Sequence, residues 1–196
     1  ESIKGYRDVH GSFPPAVVYD DTGRPMHSWR TLIAPYHEAN YFGEVYDLTE
    51  PWDGEHNCSL HNELYLKGKD GTHDVDVTAI RDVYCSPRTG SRTAPTSDYF
   101  MVIDSSTPPV PVSRWKFARY AKPGWAAQPC GPPVLVVEVL GRSIHWMAPR
   151  EMDLVDAIAI AARRSRHESC QVVGGVVVAR DGNIEVLDES EVLKTL

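Results

Sequence analysis

The run Val134-Leu135-Val136-Val137-Glu138-Val139-Leu140 limits what this chain can become more than any other stretch. A strand that is apolar on both faces must be covered on both faces, so the run predicts a strand near the centre of a sheet. Downstream, GGVVVARDGNIEVL (174–187) holds two β-rich runs around Asp181-Gly182. Asp-Gly supplies the positive φ angles of a two-residue type I′ turn, which predicts a hairpin. Between the two lies a helix that Asp153 can cap, with Asp156 near the positive end of its dipole. Val155, Ile158, Ala159 and Ala162 would form its apolar stripe, and Arg163, Arg164 and Arg166 would favour its C-terminal end. A short helix over Glu189 to Leu196 closes the chain. Helices and strands do not alternate regularly, so the expected class is α+β with a mainly antiparallel sheet.

Upstream of residue 134 the pattern is looser. Ile3, Tyr6 and Val9 recur three apart, like one face of a helix, and Gly11 can stop it. Pro14 and Pro15 then hold the chain extended, and Asp20-Asp21-Thr22-Gly23 reads as a turn. Ser28 can cap a short helix from Trp29 to Leu32 or Ile33, with another helical segment around Glu38 to Tyr46. Residues 46–57 read as an irregular connector. Val75, Val77 and Ala79 are two apart, which predicts a strand within 74–84, and a second strand is expected over Asp98 to Ile103. Residues 105–133 carry seven prolines and little periodicity, and predict a long surface excursion. At 196 residues the chain suits one domain: a helix end at 1–9 and a globular head over 10–196.

Charge removes one class of partner. A formal net charge of -7 leaves no basic surplus to neutralise phosphates, so no nucleic-acid partner is expected. No run approaches the roughly 18 apolar residues needed to cross a bilayer, and the chain as it stands reads as soluble. Cys58, Cys85, Cys130 and Cys170 form no Cys-x-x-Cys pair; they suit either bridges between loops, in any of three pairings, or four small buried thiols.

Candidate chemistry is sparse. The densest polar stretch holds Asp53, Glu55, His56, Cys58, His61 and Glu63. His56 and His61 are five apart, and two imidazoles converge on one ion from a helix at a spacing of four. A solvated loop with a helix start is the default there, and calcium is a weak alternative without the ligand spacing of an EF-hand. A partnership of Cys85 with His145 would have to arise through space. Glu138, a carboxylate within an apolar strand, must face solvent, be paired or be tuned. We assign no catalytic residue, cofactor or metal ligand. The alternative is a small envelope ligand-binding protein or hydrolase-like enzyme using Glu138 with histidines such as His145 or His56.

Five stretches, in order, carry a resemblance: DVHGSFPPA, MHSWRTLIAPYHE, EPWDG, LVVEVLG followed by IHWMAPREMDL, and VVVARDGNIEVLDES. From about Tyr6 onward the chain resembles a large bacterial family of pilin-like proteins of unassigned function that carry a prepilin-type cleavage and methylation signal. The resemblance rests on Phe13, Pro14, Pro15, Trp29, Pro51, Trp52, Asp53, Glu138, Trp146, Pro149, Asp181 and Gly182 as structural signature positions. Two departures stand out. The family's His, set nine residues before Asp-Gly, is replaced by Gln171, and its Cys-Pro step has an inserted Ser in Cys85-Ser86-Pro87.

The resemblance implies an extracytoplasmic head of a pilin or type II secretion pseudopilin-like subunit, with a structural role in the cell envelope and no catalysis. Residues 1–9 would be the tail of a longer apolar helix that anchors the protein in the membrane. Through that helix it would meet like subunits or other pilin-like proteins. Pilin-like heads pack an antiparallel sheet against such a helix, so an exposed apolar strip is expected where the rest of it belongs. Trp29, Trp52 and Trp146 would anchor the loops.

Overall fold

A computed structural model describes residues 1–37, 42–63, 65–68, 71–72, 74–88, 95–130, 133–162, 170–180 and 183–196. Helix α1 (Ser2–His10) precedes strands β1 (Val17–Tyr19) and β2 (Pro25–Ser28). Helices α2 (Trp29–Ile33), α3 (Phe42–Val45) and α4 (Glu55–Ser59) follow, then β3 (Tyr65–Lys67), β4 (Asp74–Asp76) and helix α5 (Val77–Tyr84). Seven strands come next: β5 (Thr96–Ser97), β6 (Tyr99–Ile103), β7 (Val110–Pro111), β8 (Ala126–Gln128), β9 (Val134–Leu140), β10 (Ile144–His145) and β11 (Met152–Asp153). Helix α6 (Leu154–Ala161), strands β12 (Gln171–Val178) and β13 (Ile184–Asp188), and helix α7 (Glu189–Thr195) complete the order.

The fold is α+β with mainly antiparallel sheets. The larger sheet has the order β11-β6-β9-β12-β13, with only β11 and β6 parallel, and β9 lies at its centre as its apolar run requires. A second sheet runs β2-β1-β8-β7. One face of the larger sheet carries Leu135, Val137, Val139 and Val172, and closes a small aliphatic core with Ala157, Ile160, Leu187 and Val192. The other face carries Val134, Val136 and Val178 into a larger core rich in aromatic residues, together with Ile3 and Tyr6 of α1, Trp29, Phe42, Tyr84, Trp115, Trp125 and Trp146.

Local signals explain the elements that form as expected. Gly11 stops α1 at φ 75°, and Ser28 caps α2 by accepting the Arg30 N–H. Asp153 caps α6, and Asp188 with Glu191 forms a capping box on α7. β12 and β13 pair antiparallel as a hairpin, though its turn at Asp181 and Gly182 lies outside the described residues, as do Arg163, Arg164 and Arg166.

Three expectations are corrected. Within 74–84 only Asp74–Asp76 is strand; Val77–Tyr84 is helix. The Asp76 carboxylate accepts the Thr78 N–H and hydroxyl, and Val77, Ile80 and Tyr84 form a buried face at helical spacing that outweighs the short alternation of Val75, Val77 and Ala79. Residues 105–133 are no surface excursion: β7 and β8 join the second sheet, and Trp115, Phe117 and Trp125 are buried. On α6 the buried residues are Ala157, Ile160 and Ala161, while Val155 and Ile158 are exposed by 72% and 40%. The face bearing Ala157 and Ala161 lets the helix approach the sheet closely, which the bulkier stripe would prevent.

Candidate functional site

The two faces of the larger sheet differ in polarity, and the buried polar groups cluster on the aromatic side. At its centre Arg30 and Glu151, both fully buried, lie 2.7 Å apart. Arg30 donates to Glu151, Ser28 Oγ, Ser97 Oγ and the Tyr99 carbonyl, and its guanidinium stacks on the Trp29 ring at 4.9 Å. The Met101 N–H donates to Glu151 Oε2. Burial pushes the Glu151 carboxyl up to about 7, against the pull of Arg30 and of the Met101 N–H. These contacts join the Ser-Trp-Arg stretch to the Pro-Arg-Glu stretch. They are a structural clamp, because both charges are spent on each other and on backbone groups.

A hydrogen-bonded chain leads from this clamp to α1. The Tyr84 hydroxyl donates to the Arg30 carbonyl, His37 Nε2 donates to Tyr84, and the Ser2 hydroxyl donates to His37 Nδ1. That direction requires a neutral His37, and burial indeed holds its pKa down to about 4. His27 is likewise neutral. It accepts from the Tyr46 hydroxyl and donates to the Leu48 carbonyl, with burial lowering its pKa to about 4.

Glu138 lies near the edge of the same face. Ser86 Oγ donates to its Oε1, and Arg88 Nε sits 3.7 Å away. The inserted serine of the Cys-Ser-Pro step is thus the residue that pairs Glu138. Burial and the nearby Glu138 charge push the Tyr99 hydroxyl up to about 12. Neither His145 nor His56 reaches Glu138. His56 Nε2 donates to the Val45 carbonyl, and His145 stacks on His61 at 4.3 Å.

The acidic, histidine-bearing stretch folds as the start of α4. His61 stacks on Trp52 and forms a three-ring cluster with it and His145, and its Nε2 donates to the Trp52 carbonyl, leaving Nδ1 toward Cys58 Sγ at 3.8 Å. Among the described residues no three His, Cys, Asp or Glu side chains are placed to hold a metal ion. Cys85 donates to the Thr96 carbonyl rather than to a histidine, and no disulfide joins the four cysteines.

Most of the other signature positions among the described residues are packing sites. Phe13 accepts the Trp115 indole N–H at its carbonyl, and Pro14 and Pro15 are buried beside it. Trp146 is fully buried against Tyr84 and Phe42, next to buried Pro149. Pro51 accepts from Asn57 Nδ2, and exposed Asp53 pairs with Arg24. The Trp29-Arg30 pair reads as buried from its sequence and is buried, but sequence reasoning missed its partner Glu151, and it missed Asn57. Asn57 is buried and ties the 46–57 connector through Asp47, Glu50 and Pro51, and it is one of two amides in that polar stretch, which no local signal sets apart from Asn62.

Two adjoining clefts open on the aromatic side. One, of about 370 Å³, lies at the C-terminal end of α1; the other, of about 480 Å³, adjoins it through Gly43, Tyr46, Leu48 and Tyr120. Glu138 lines neither. Against known proteins, no family model, no curated protein and no solved structure matches this chain.

Proposed function

We propose that this chain is the extracytoplasmic head of a pilin- or pseudopilin-like subunit, with an assembly role in the cell envelope rather than catalysis. The observation that carries the reading is the seat of α1. Ile3 and Tyr6 belong to the same core as Val134, Val136 and Val178 on one face of an antiparallel sheet, and Arg7 donates to the Arg180 carbonyl in the β12–β13 connection. Within that shared core α1 rests on α2 and the turn Ala34–Tyr36, which stand between it and the sheet, and an N-terminal helix that shares a core with a sheet face suits the arrangement that the resemblance implies.

The margin of that face supports the same reading. Register places Val186 beside Val176 and Val136, and Val186 is 77% exposed. An apolar strip at the sheet edge next to α1 suits contact with a further stretch of helix or with a like subunit. On this reading α1 continues upstream into an apolar membrane anchor. The test is intact mass and N-terminal sequencing of the full-length protein recovered from the envelope of its native cells. A trimmed, N-methylated terminus supports the proposal, and an uncleaved leader overturns it.

A further inference from the structure

We propose that the cleft at the end of α1 binds a small aromatic carboxylate, an activity that stands independently of the assembly reading. The cleft holds about 370 Å³, within the roughly 300–1,000 Å³ typical of small-molecule sites, and its walls are largely aromatic. Tyr6 stacks on His10 at 4.1 Å, and Tyr36 meets both rings edge-on. Phe117 and Tyr120 line the cleft with them. Tyr6 and Phe117 are almost fully buried, so a ligand ring would meet the part-exposed His10 and Tyr36 and the exposed Tyr120.

Charge selects the rest of the ligand. Arg119 lines the same cleft with its guanidinium 4.7 Å from the centre of the Tyr120 ring, and among the described residues no carboxylate pairs with it. An exposed arginine without a counter-ion, beside an aromatic cleft in a chain of net charge -7, offers a planar fork for a carboxylate. The adjoining cleft is lined by Glu44 and Asp47 and by Lys67, whose charge is engaged by Asp74 at 2.6 Å, so its balance disfavours a second anion and confines the ligand to the aromatic side. The acid group therefore lies at Arg119, and the ring packs toward His10 and Tyr36.

Titration of the folded chain with 3-phenylpropionate, followed by ligand-observed NMR, tests this. Binding with Kd below about 1 mM is expected, weakened at least about tenfold for 3-phenylpropionamide, which lacks the charge, and for propionate, which lacks the ring. Arg119→Gln should lose the preference for acid over amide, and Tyr120→Ala should weaken the acid severalfold. Both side chains are exposed, so the thermal midpoint should hold. Equal binding of acid and amide, an unaffected Arg119→Gln, or no binding at 1 mM in a folded sample would each overturn the proposal.

Discussion

The two cores on either face of the larger sheet are built by different rules. The core under α6 and α7 is mainly aliphatic: valine, leucine, isoleucine and alanine side chains meet around Met152 and a single aromatic ring, Phe100. The core under α1 holds four tryptophans, Trp29, Trp115, Trp125 and Trp146, with several tyrosines, and encloses Arg30, Glu151 and His27. A helix-on-sheet core needs only volume and pattern. A core assembled from many short elements and the loops between them must satisfy the backbone groups that longer regular structure would otherwise pair, and here charged and aromatic side chains contribute to that.

Breaking the polar core should have the largest effect. Glu151→Leu leaves the Arg30 guanidinium fully buried without its counter-ion, and should lower the unfolding free energy by about 3–5 kcal/mol in urea titrations. A loss under about 1 kcal/mol would mean that the aromatic packing alone holds this side. The double variant Arg30→Met with Glu151→Leu should recover much of the loss, since an apolar pair needs no desolvated charge.

Acid should next separate the two sides. The folded pKa of His27 is depressed from 6.5 to about 4, so its contribution is present above pH 6.5 and is lost as pH falls toward 4, a change of about 3 kcal/mol by linkage. His37 acts in the same direction. Glu151 acts oppositely, because its raised pKa makes its contribution fall as pH rises from 4.5 to about 7. Subtracting the profile of His27→Gln from the wild type cancels the Glu151 and His37 contributions. The difference should grow steadily as pH rises from 4 to 6.5; a flat difference would show that His27 is not buried neutral.

The aliphatic side should fail through volume instead. A Cβ at Gly175 would lie 2.8 Å from the Val136 carbonyl and 3.0 Å from a Val192 methyl, so Gly175→Ala should cost about 1–3 kcal/mol with no change in pH dependence. The smallest effect is expected at the end of the chain. Asp188→Ala removes the capping box of α7 and should cost about 1 kcal/mol, seen as a small drop in thermal midpoint.

Legibility followed the same division. β9, the β12–β13 pairing, the cap of α6 and the presence of α7 could be read from sequence because local pattern and tertiary burial agree there, whereas the capping box of α7 was not read. The expected stripe of α6 faces solvent because the sheet selects the helix face by closeness of approach, which hydrophobicity alone does not express. On the aromatic side the decisive contacts are remote. Arg30 and Glu151 are 121 residues apart, and no local spacing reports that two charges will meet out of water. The prolines of 105–133 read as surface loop, yet Trp115, Phe117 and Trp125 between them carry that segment into the core. Glu138 stood out as a carboxylate in an apolar run, but its partner Ser86 lies 52 residues away, on the segment whose insertion had looked like a defect.

Helix α1 is tied at three points along its length, by Ser2 to His37, by Arg7 to the Arg180 carbonyl and by His10 to Tyr36. Cross-links at separate heights along a rod resist an axial pull in shear, and several must slip together before the rod moves. A tether attached only at one end would peel open bond by bond. Tension applied at residue 1 would therefore pass through His37 and Tyr84 to the Arg30 backbone, and into the best-buried part of the molecule, before α1 lifted away.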